Sequence, residues 1–509
     1  MSRGFRLVLC LALAVISPGP VSVRAQCEQP PDAATLGLDQ PIRYAYPDAA
    51  RAHLYVVEVP GAGDLTVTLG DQPIPLTLYG YSPDGGALDD PVIGPGALQS
   101  LSANASEAGI YTIVVQSSAY ETSCESYALL AEWAPGPVRF RAMASRGSHT
   151  LALANDRSLW AWGANEEGQL GDGTTIGRSV PTRVPELTRV TQVATGSYHS
   201  LALTDDGVVW SWGADVSGQR GDGLSRVEPS AVPTRVEGLG VVTAIAGGFD
   251  HSLALVADGT VWAWGQNGSG QVGDGSVSTD GCLCKPLPVQ VIGLRGATAV
   301  AAGSFHSLAL MVDGTVWAWG QNGAGQLGDG TNANHPTPVP VRGLSDVMAI
   351  AAGDSFSLAL KSNGTVWAWG YNSSGELGDG THENRDVPIQ VRGLTNVTQI
   401  AAGGLHGLAL TADGNIWSWG HNGSGQVGDG SIEDRSTPIL VPGVPDAIFI
   451  TGGVTHSLAV TVEGELWAWG ANGSGQLGSG SVTAIGCGCS PVPLAVHSPG
   501  AASGAAGDR

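Results

Sequence analysis

Six histidines stand at one register of a recurring unit: His149, His199, His251, His306, His406 and His456, with Phe356 in the same place once. Histidine is the commonest general base near neutral pH, but a reaction needs its base once. A side chain that recurs six times and is replaceable by phenylalanine reads as packing or a loop hydrogen bond. Asp172, Asp222, Asp274, Asp329, Asp379 and Asp429 recur in the same way in Gly-Asp-Gly turns, where Ser479 takes the seventh place. Calcium requires several converging oxygens, and one carboxylate per loop does not supply them. Gly323-Ala324-Gly325-Gln326-Leu327-Gly328 fits the Gly-x-Gly-x-x-Gly dinucleotide pattern, as do Gly268 to Gly273, Gly423 to Gly428 and Gly473 to Gly478. None of them opens a helix, whose N-terminus the phosphate chemistry needs, so all four are turns. No nucleophile, base and orienting acid stands apart from the repeats. The residues therefore predict no catalytic group, no metal and no cofactor.

The elements that carry these residues repeat. Trp-x-Trp-Gly begins at Trp160, Trp210, Trp262, Trp317, Trp367, Trp417 and Trp467, at separations of 50, 52, 55, 50, 50 and 50 residues. A period near fifty is the mark of a repeat architecture. Each unit holds an apolar run (Thr298 to Gly303 in the fourth), a second (His306 to Leu310), an Asp-Gly turn (Asp313-Gly314), the tryptophan strand and, after a glycine loop, Pro338 to Val341. Asp-Gly between two apolar runs is a hairpin signal, and no segment has a helical period. Four strands, A to D, are expected per unit. In strand C the tryptophans sit two apart and share one face, with alanine or serine between them. Bulky face then meets small face from sheet to sheet, and a closed ring leaves none exposed. The expectation is an all-β, seven-bladed β-propeller.

Gly-x-x-His-Ser-Leu-Ala-Leu, Asp-Gly-x-Val-Trp-Ala-Trp-Gly and Asn-x-x-Gly-Gln-Leu-Gly-Asp-Gly resemble the regulator of chromosome condensation repeat, over residues 138 to 497. The resemblance implies the same seven-bladed fold; it specifies function less, because unrelated activities share that scaffold. Residues 26 to 133 lack the repeat and hold alternating runs such as Leu54 to Val59, Leu65 to Leu69, Leu76 to Tyr79 and Tyr111 to Val115. They read as a small β-sandwich. Val59 to Leu69, Leu78 to Gly85 and Ala108 to Val115 resemble the bacterial pre-peptidase C-terminal domain, which implies an accessory, jelly-roll-like module. Residues 134 to 137 read as a linker and 498 to 509 as a disordered tail.

Met1 to Arg6 is basic and Leu7 to Ile16 apolar, with Val23-Arg24-Ala25 before Gln26, which together predict a secretory signal peptide over residues 1 to 25. It is too short to span a membrane. Cys27 and Cys124 bracket the sandwich and are expected to bridge it, while Cys282 with Cys284 and Cys487 with Cys489 form Cys-x-Cys pairs. Gln271 to Pro288 and Gln476 to Pro493 each span 17 residues where Gln326 to Pro338 spans 12, so these pairs sit in matching insertions. Units three and seven are not ring neighbours, which favours local loop staples over a shared metal. With 23 basic against 45 acidic residues, a net charge of −22, there is no basic stripe for nucleic acid.

Positions shared by all units serve the blade, and positions that vary are free to serve a partner. With alternating strands, the A–B and C–D loops share one face. Its variable residues include Tyr198, Phe249, Asp250, Phe305, Asp354 and Leu405 around the histidine register, and Gln266, Gln321, Tyr371 and His421 after Trp-Gly. Aromatic anchors among polar groups resemble an interface core. The reading is an exported, non-enzymatic binding propeller that grips an extracellular or periplasmic protein or glycan with this face. The secreted β-lactamase-inhibiting propellers of the family are the nearest analogy, for the mode of binding and not for the target. A secreted enzyme with a loop-built site is the alternative. Guanine-nucleotide exchange is disfavoured by charge and export.

Overall fold

The computed structural model describes residues 138–496, apart from 186, 280 and 483–487, and before them only the course of strand segments between Ala12 and Pro135. The chain divides into two compact units, the second spanning Arg139–Ala501. Strands Ala52–Val59, Gly63–Leu69, Leu76–Tyr81 and Gly109–Ser117 coincide with the alternating runs of the first. The sandwich as a domain, the signal peptide, Cys27, Cys124, the linker and the tail lie outside what is described.

The second unit is seven four-stranded antiparallel sheets, each made of consecutive strands in the order A-B-C-D. In blade four these are Ala297–Ala302, His306–Met311, Val316–Gly320 and His335–Pro340. Strands B and C pair Ser307 with Trp319, Leu308 with Ala318 and Ala309 with Trp317. The glycine that follows the second tryptophan, Gly320, has φ +102, and a Cβ on it would collide with the carbonyl of Phe305. The same collision at Gly163, Gly213, Gly265, Gly370, Gly420 and Gly470 explains why a glycine follows the second tryptophan in every unit.

The expected meshing of large into small is what packs the blades. Leu308, Leu310, Val316 and Ala318 of blade four form one buried cluster with Trp367 and Trp369 of blade five. Blade three packs on Trp317 and Trp319 in the same way, and blade one on Trp210 and Trp212. The second tryptophan of each unit is fully buried from Trp162 to Trp469, and the first is half-buried. Removing roughly 150–250 Å² of indole from water gives an upper figure of about 4–6 kcal/mol for each such side chain.

No strand is exchanged to shut the ring. Blade one runs from Phe140 to Arg183 and blade seven from Ala447 to Ala495, each complete in itself. The seam between them repeats the other seams: Trp162 Nε1 donates to the Gln476 carbonyl at 2.9 Å, and the Phe140 amide donates to the Gly464 carbonyl at 3.0 Å.

Candidate functional site

The histidines sit between blades. His149, His199, His251, His306 and His406 each place Nε2 2.8–3.0 Å from the Oγ of a serine on strand B of the next blade, as in His306 to Ser357. His456 closes the ring onto Ser145 at 2.9 Å. Each of these serines already donates its hydroxyl proton, as Ser357 does to the Gln326 carbonyl and Ser145 to the His149 carbonyl, both at 2.9 Å. The hydroxyl therefore accepts, the histidine donates from Nε2, and the ring is neutral. The same glutamine carbonyl also accepts the second tryptophan, for example Trp369 Nε1 to Gln326 at 2.9 Å. Burial first, then nearby charges, holds the pKa of His306 down at about 3. These imidazoles are interblade fasteners, out of reach of a substrate.

One seam lacks the histidine altogether. Between blades five and six the histidine is Phe356, the serine is Gly407 and the glutamine is Glu376, so the substitution of one partner accompanies the loss of the other. Phe356 fills the space by joining the cluster around Trp419. Glu376 is fully buried with Oε1 unpartnered, and burial lifts its pKa to about 7. A Cβ on Gly407 would collide with the Trp419 ring. We expect Gly407→Ser alone, by overpacking, and Phe356→His alone, by burying an unpaired donor, each to cost roughly 1–3 kcal/mol. The double variant regains part of that loss, a coupling of about 1–3 kcal/mol in a urea-unfolding cycle.

The Gly-Asp-Gly carboxylates are loop anchors. In blade five Asp379 Oδ1 accepts from the Thr381 amide at 2.9 Å and from Thr381 Oγ1 at 2.7 Å, and Oδ2 meets Arg385 at 3.3 Å. Burial alone would raise this carboxyl, but the hydrogen bonds of Thr381, Asn372 and Arg385 outweigh it and hold the pKa low. Asp172 with Arg178, Asp274 with Lys285 and Asp429 with Arg435 repeat the pairing at 2.6–2.9 Å. In blade two Asp222 pairs instead with Arg220, at 2.6 Å.

On the loop face, three of the varying residues come together. Tyr198 meets Phe249 edge-on, with centroids 5.9 Å apart at 83°, and Phe249 stacks on Phe305 at 5.7 Å and 29°. The three rings form an arc across the A–B loops of blades two, three and four. Tyr198 is 48% exposed and the two phenylalanines are half-buried. Asp250 follows Phe249, accepts from Gln219 Nε2 at 3.1 Å, and has a pKa raised to about 6 by burial. Gln266, Gln321, Tyr371, Leu405 and His421 are half-buried around the same face. Gln266 accepts from Gln271 at 3.2 Å and His421 Nδ1 lies 3.1 Å from Asp434. Among the described residues no ring contact joins Tyr371 to the arc. The face is a set of loop tips of which blades two to four make one continuous aromatic surface.

Sequence reasoning missed Arg146. It occupies the position held by Gly196, Gly248, Gly303, Gly353, Gly403 and Gly453, where a Cβ would strike the ring at the histidine register. Blade one builds this turn differently, with Ser145 Oγ on the His149 carbonyl where the other blades use the glycine amide. Arg146 is thereby freed to reach across the axis. Its Nη1 donates to the Ala302 carbonyl at 2.7 Å and the Ala352 carbonyl at 3.2 Å, and its Nη2 lies 3.4 Å from Asp354 Oδ1. Asp354 also accepts from Ser304 Oγ at 2.7 Å. The guanidinium thus ties blade one to blades four and five beside an axial cavity of about 210 Å³ lined by strands A. The signal was present: an arginine in a register otherwise filled by glycine. Arg146→Met, which keeps the stem and removes these donors, is expected to cost roughly 1–3 kcal/mol in urea unfolding.

Cys282 and Cys284 are joined in a disulfide within the C–D loop of blade three, and Cys489 is likewise disulfide-bonded. The RCC1-like domain profile matches residues 119–396 and 279–507. The chain belongs to the RCC1-like domain family. The ultraviolet-B receptor UVR8 of Arabidopsis thaliana is 34% identical to this RCC1-like chain over 199 residues, 39% of this chain and 44% of UVR8. The E3 ubiquitin-protein ligase HERC2 of Homo sapiens is also 34% identical over 199 residues, 38% of this chain but 4% of HERC2. The match thus spans less than half the length of these curated relatives. Among solved structures, yeast RCC1 (Prp20) bound to Kap60 aligns with a TM-score of 0.59 and 25% identity over 69% of this chain and 85% of that one. Human WBSCR16 shares the fold, with a TM-score of 0.57 and 24% identity over 76% of this chain and 98% of its own.

Proposed function

We propose that this RCC1-like propeller is an exported, non-enzymatic binding protein that recognises a partner protein through its A–B and C–D loop face. The arc of Tyr198, Phe249 and Phe305 carries the reading, because it gathers aromatic area at loop tips that the blades do not use for packing. The histidines that a loop-built enzyme would draw on are engaged between blades and held neutral. Among relatives, yeast RCC1 was crystallised bound to a protein, Kap60, which is in keeping with a protein partner. Export is supported by the basic and apolar amino terminus and by the Cys282–Cys284 bridge. A sandwich over 26–133 resembling the pre-peptidase C-terminal domain would be its accessory module.

The test uses the full chain as bait on its native extracellular fraction, beside the Tyr198→Ala, Phe249→Ala, Phe305→Ala triple variant. A specific partner should weaken by at least roughly 30-fold, the loss of a single 2 kcal/mol anchor, with the urea midpoint of the variant preserved. A partner held equally by both baits overturns the proposal.

A further inference from the structure

Resting on that reading, the charges around the arc specify what it takes. Asp250 is half-buried and follows Phe249 of the aromatic stack in the same A–B loop, and its described hydrogen-bond partner is the neutral amide of Gln219. Among the described residues no ion pair engages it, and burial is the cause of its raised pKa. Six basic side chains of the same face are already engaged. Arg178, Lys285, Arg385 and Arg435 are held by the Gly-Asp-Gly carboxylates, Arg220 by Asp222, and Arg146 by Asp354 and backbone carbonyls. The C–D loop of blade one contributes Glu166 and Glu167, three and two residues before the Gln169 whose carbonyl accepts Ser200, itself two residues after Tyr198. The face thus pairs ring faces with acid on a chain of net charge −22. Aromatic faces attract guanidinium and ammonium groups, most strongly where water is excluded. A neighbouring carboxylate adds a charge-assisted hydrogen bond.

We infer that the arc of Tyr198, Phe249 and Phe305, with Asp250 as counter-ion, is a docking site for an arginine- or lysine-bearing segment of a partner protein. The cationic head lies over the rings and its donors reach Asp250. Acidic partners and nucleic acids are repelled by the same charges.

The probe is a fluorescein-labelled peptide of alternating glycine and arginine, compared with the same peptide carrying neutral citrulline, by fluorescence polarisation on the full chain. The arginine peptide should bind more tightly than the citrulline peptide by roughly tenfold, the scale of one charge-assisted contact. Asp250→Asn and Phe249→Ala should each weaken it by roughly fivefold or more, the size of a cation–π contact. Asp313→Asn, which removes a fully exposed charge from the B–C turn on the opposite face, should leave it unchanged and so separates a site from general attraction to an acidic protein. Equal binding of both peptides, or equal loss from Asp313→Asn and Asp250→Asn, overturns the inference. If the arginine peptide fails while the triple alanine variant still loses its native partner, the arc stands as the site and its cationic ligand falls. If the native partner is also retained, both readings fall.

Discussion

Lowering the pH from about 6.5 towards 4 is expected to unfold the propeller well before its acidic surface is neutralised. The cause is the line of fully buried, neutral histidines at the blade seams. Burial, aided by neighbouring charges, presses His149, His199, His306, His406 and His456 to about 3 and His251 well below its ordinary value. An unfolded histidine takes its proton near pH 6.5, whereas five of these do so only near 3 and His251 only well below its ordinary value. The stability they confer is thus complete above 6.5 and is lost as the pH falls, at about 1.4 kcal/mol per pH unit for each proton. Three carboxyls oppose this, because burial raises Asp215 and Asp250 to about 6 and Glu376 to about 7, and protonation relieves them. Six protons against three leave a net slope of roughly 4 kcal/mol per pH unit between about 6 and 4, enough to exhaust an ordinary folding free energy of 5–15 kcal/mol. Urea midpoints measured at descending pH should fall steeply from about pH 6, as the neutral unfolded histidines begin to charge. A flat profile down to pH 4 would mean that the seam histidines are not buried and neutral.

Trp319→Ala is expected to cost about 3–5 kcal/mol. It empties the space between blades three and four, where the indole lies against Leu253, Leu255, Ala263 and Val272, and deprives the Gln271 carbonyl of a donor at 2.9 Å. Trp317→Ala, at a half-buried site, should cost less. The closing seam makes the comparison sharper. Trp162 is as buried as Trp319 and bonds the Gln476 carbonyl at the same 2.9 Å, although 314 residues separate the two partners. Trp162→Ala should therefore destabilise as much as Trp319→Ala. In an open array Trp162 would sit on a bare edge, and its removal would be nearly neutral.

The fold was legible because the blade is a local device repeated. Trp-x-Trp-Gly, the Asp-Gly turn and a small residue between the indoles each state one step of strand, hairpin and packing, and seven copies leave a ring as their joint solution. The role of the histidines was legible from their number, and their partners were not. That His306 reaches Ser357 depends on the angle between successive sheets, which no spacing within a unit contains. For the same reason the varying loop residues could be collected but not sorted. Phe249 sits one residue earlier in its register than Tyr198 and Phe305, and only the curvature of the ring brings the three together. Phe356 stood out as the exception in its register, but its partner Gly407 and the arginine at 146 were overlooked although each also breaks a repeated register. Their meaning lies in contacts across the axis or the seam, where an exception in one blade is answered in another.

The most direct measurement is hydrogen exchange of the full chain with and without its captured native partner. Slowed exchange at the backbone of 196–199, 248–251 and 303–306, with the Asp313-Gly314 turn unchanged, is the expected result. Protection confined to the B–C turns or the outer D strands would place recognition elsewhere and contradict the assignment of this face.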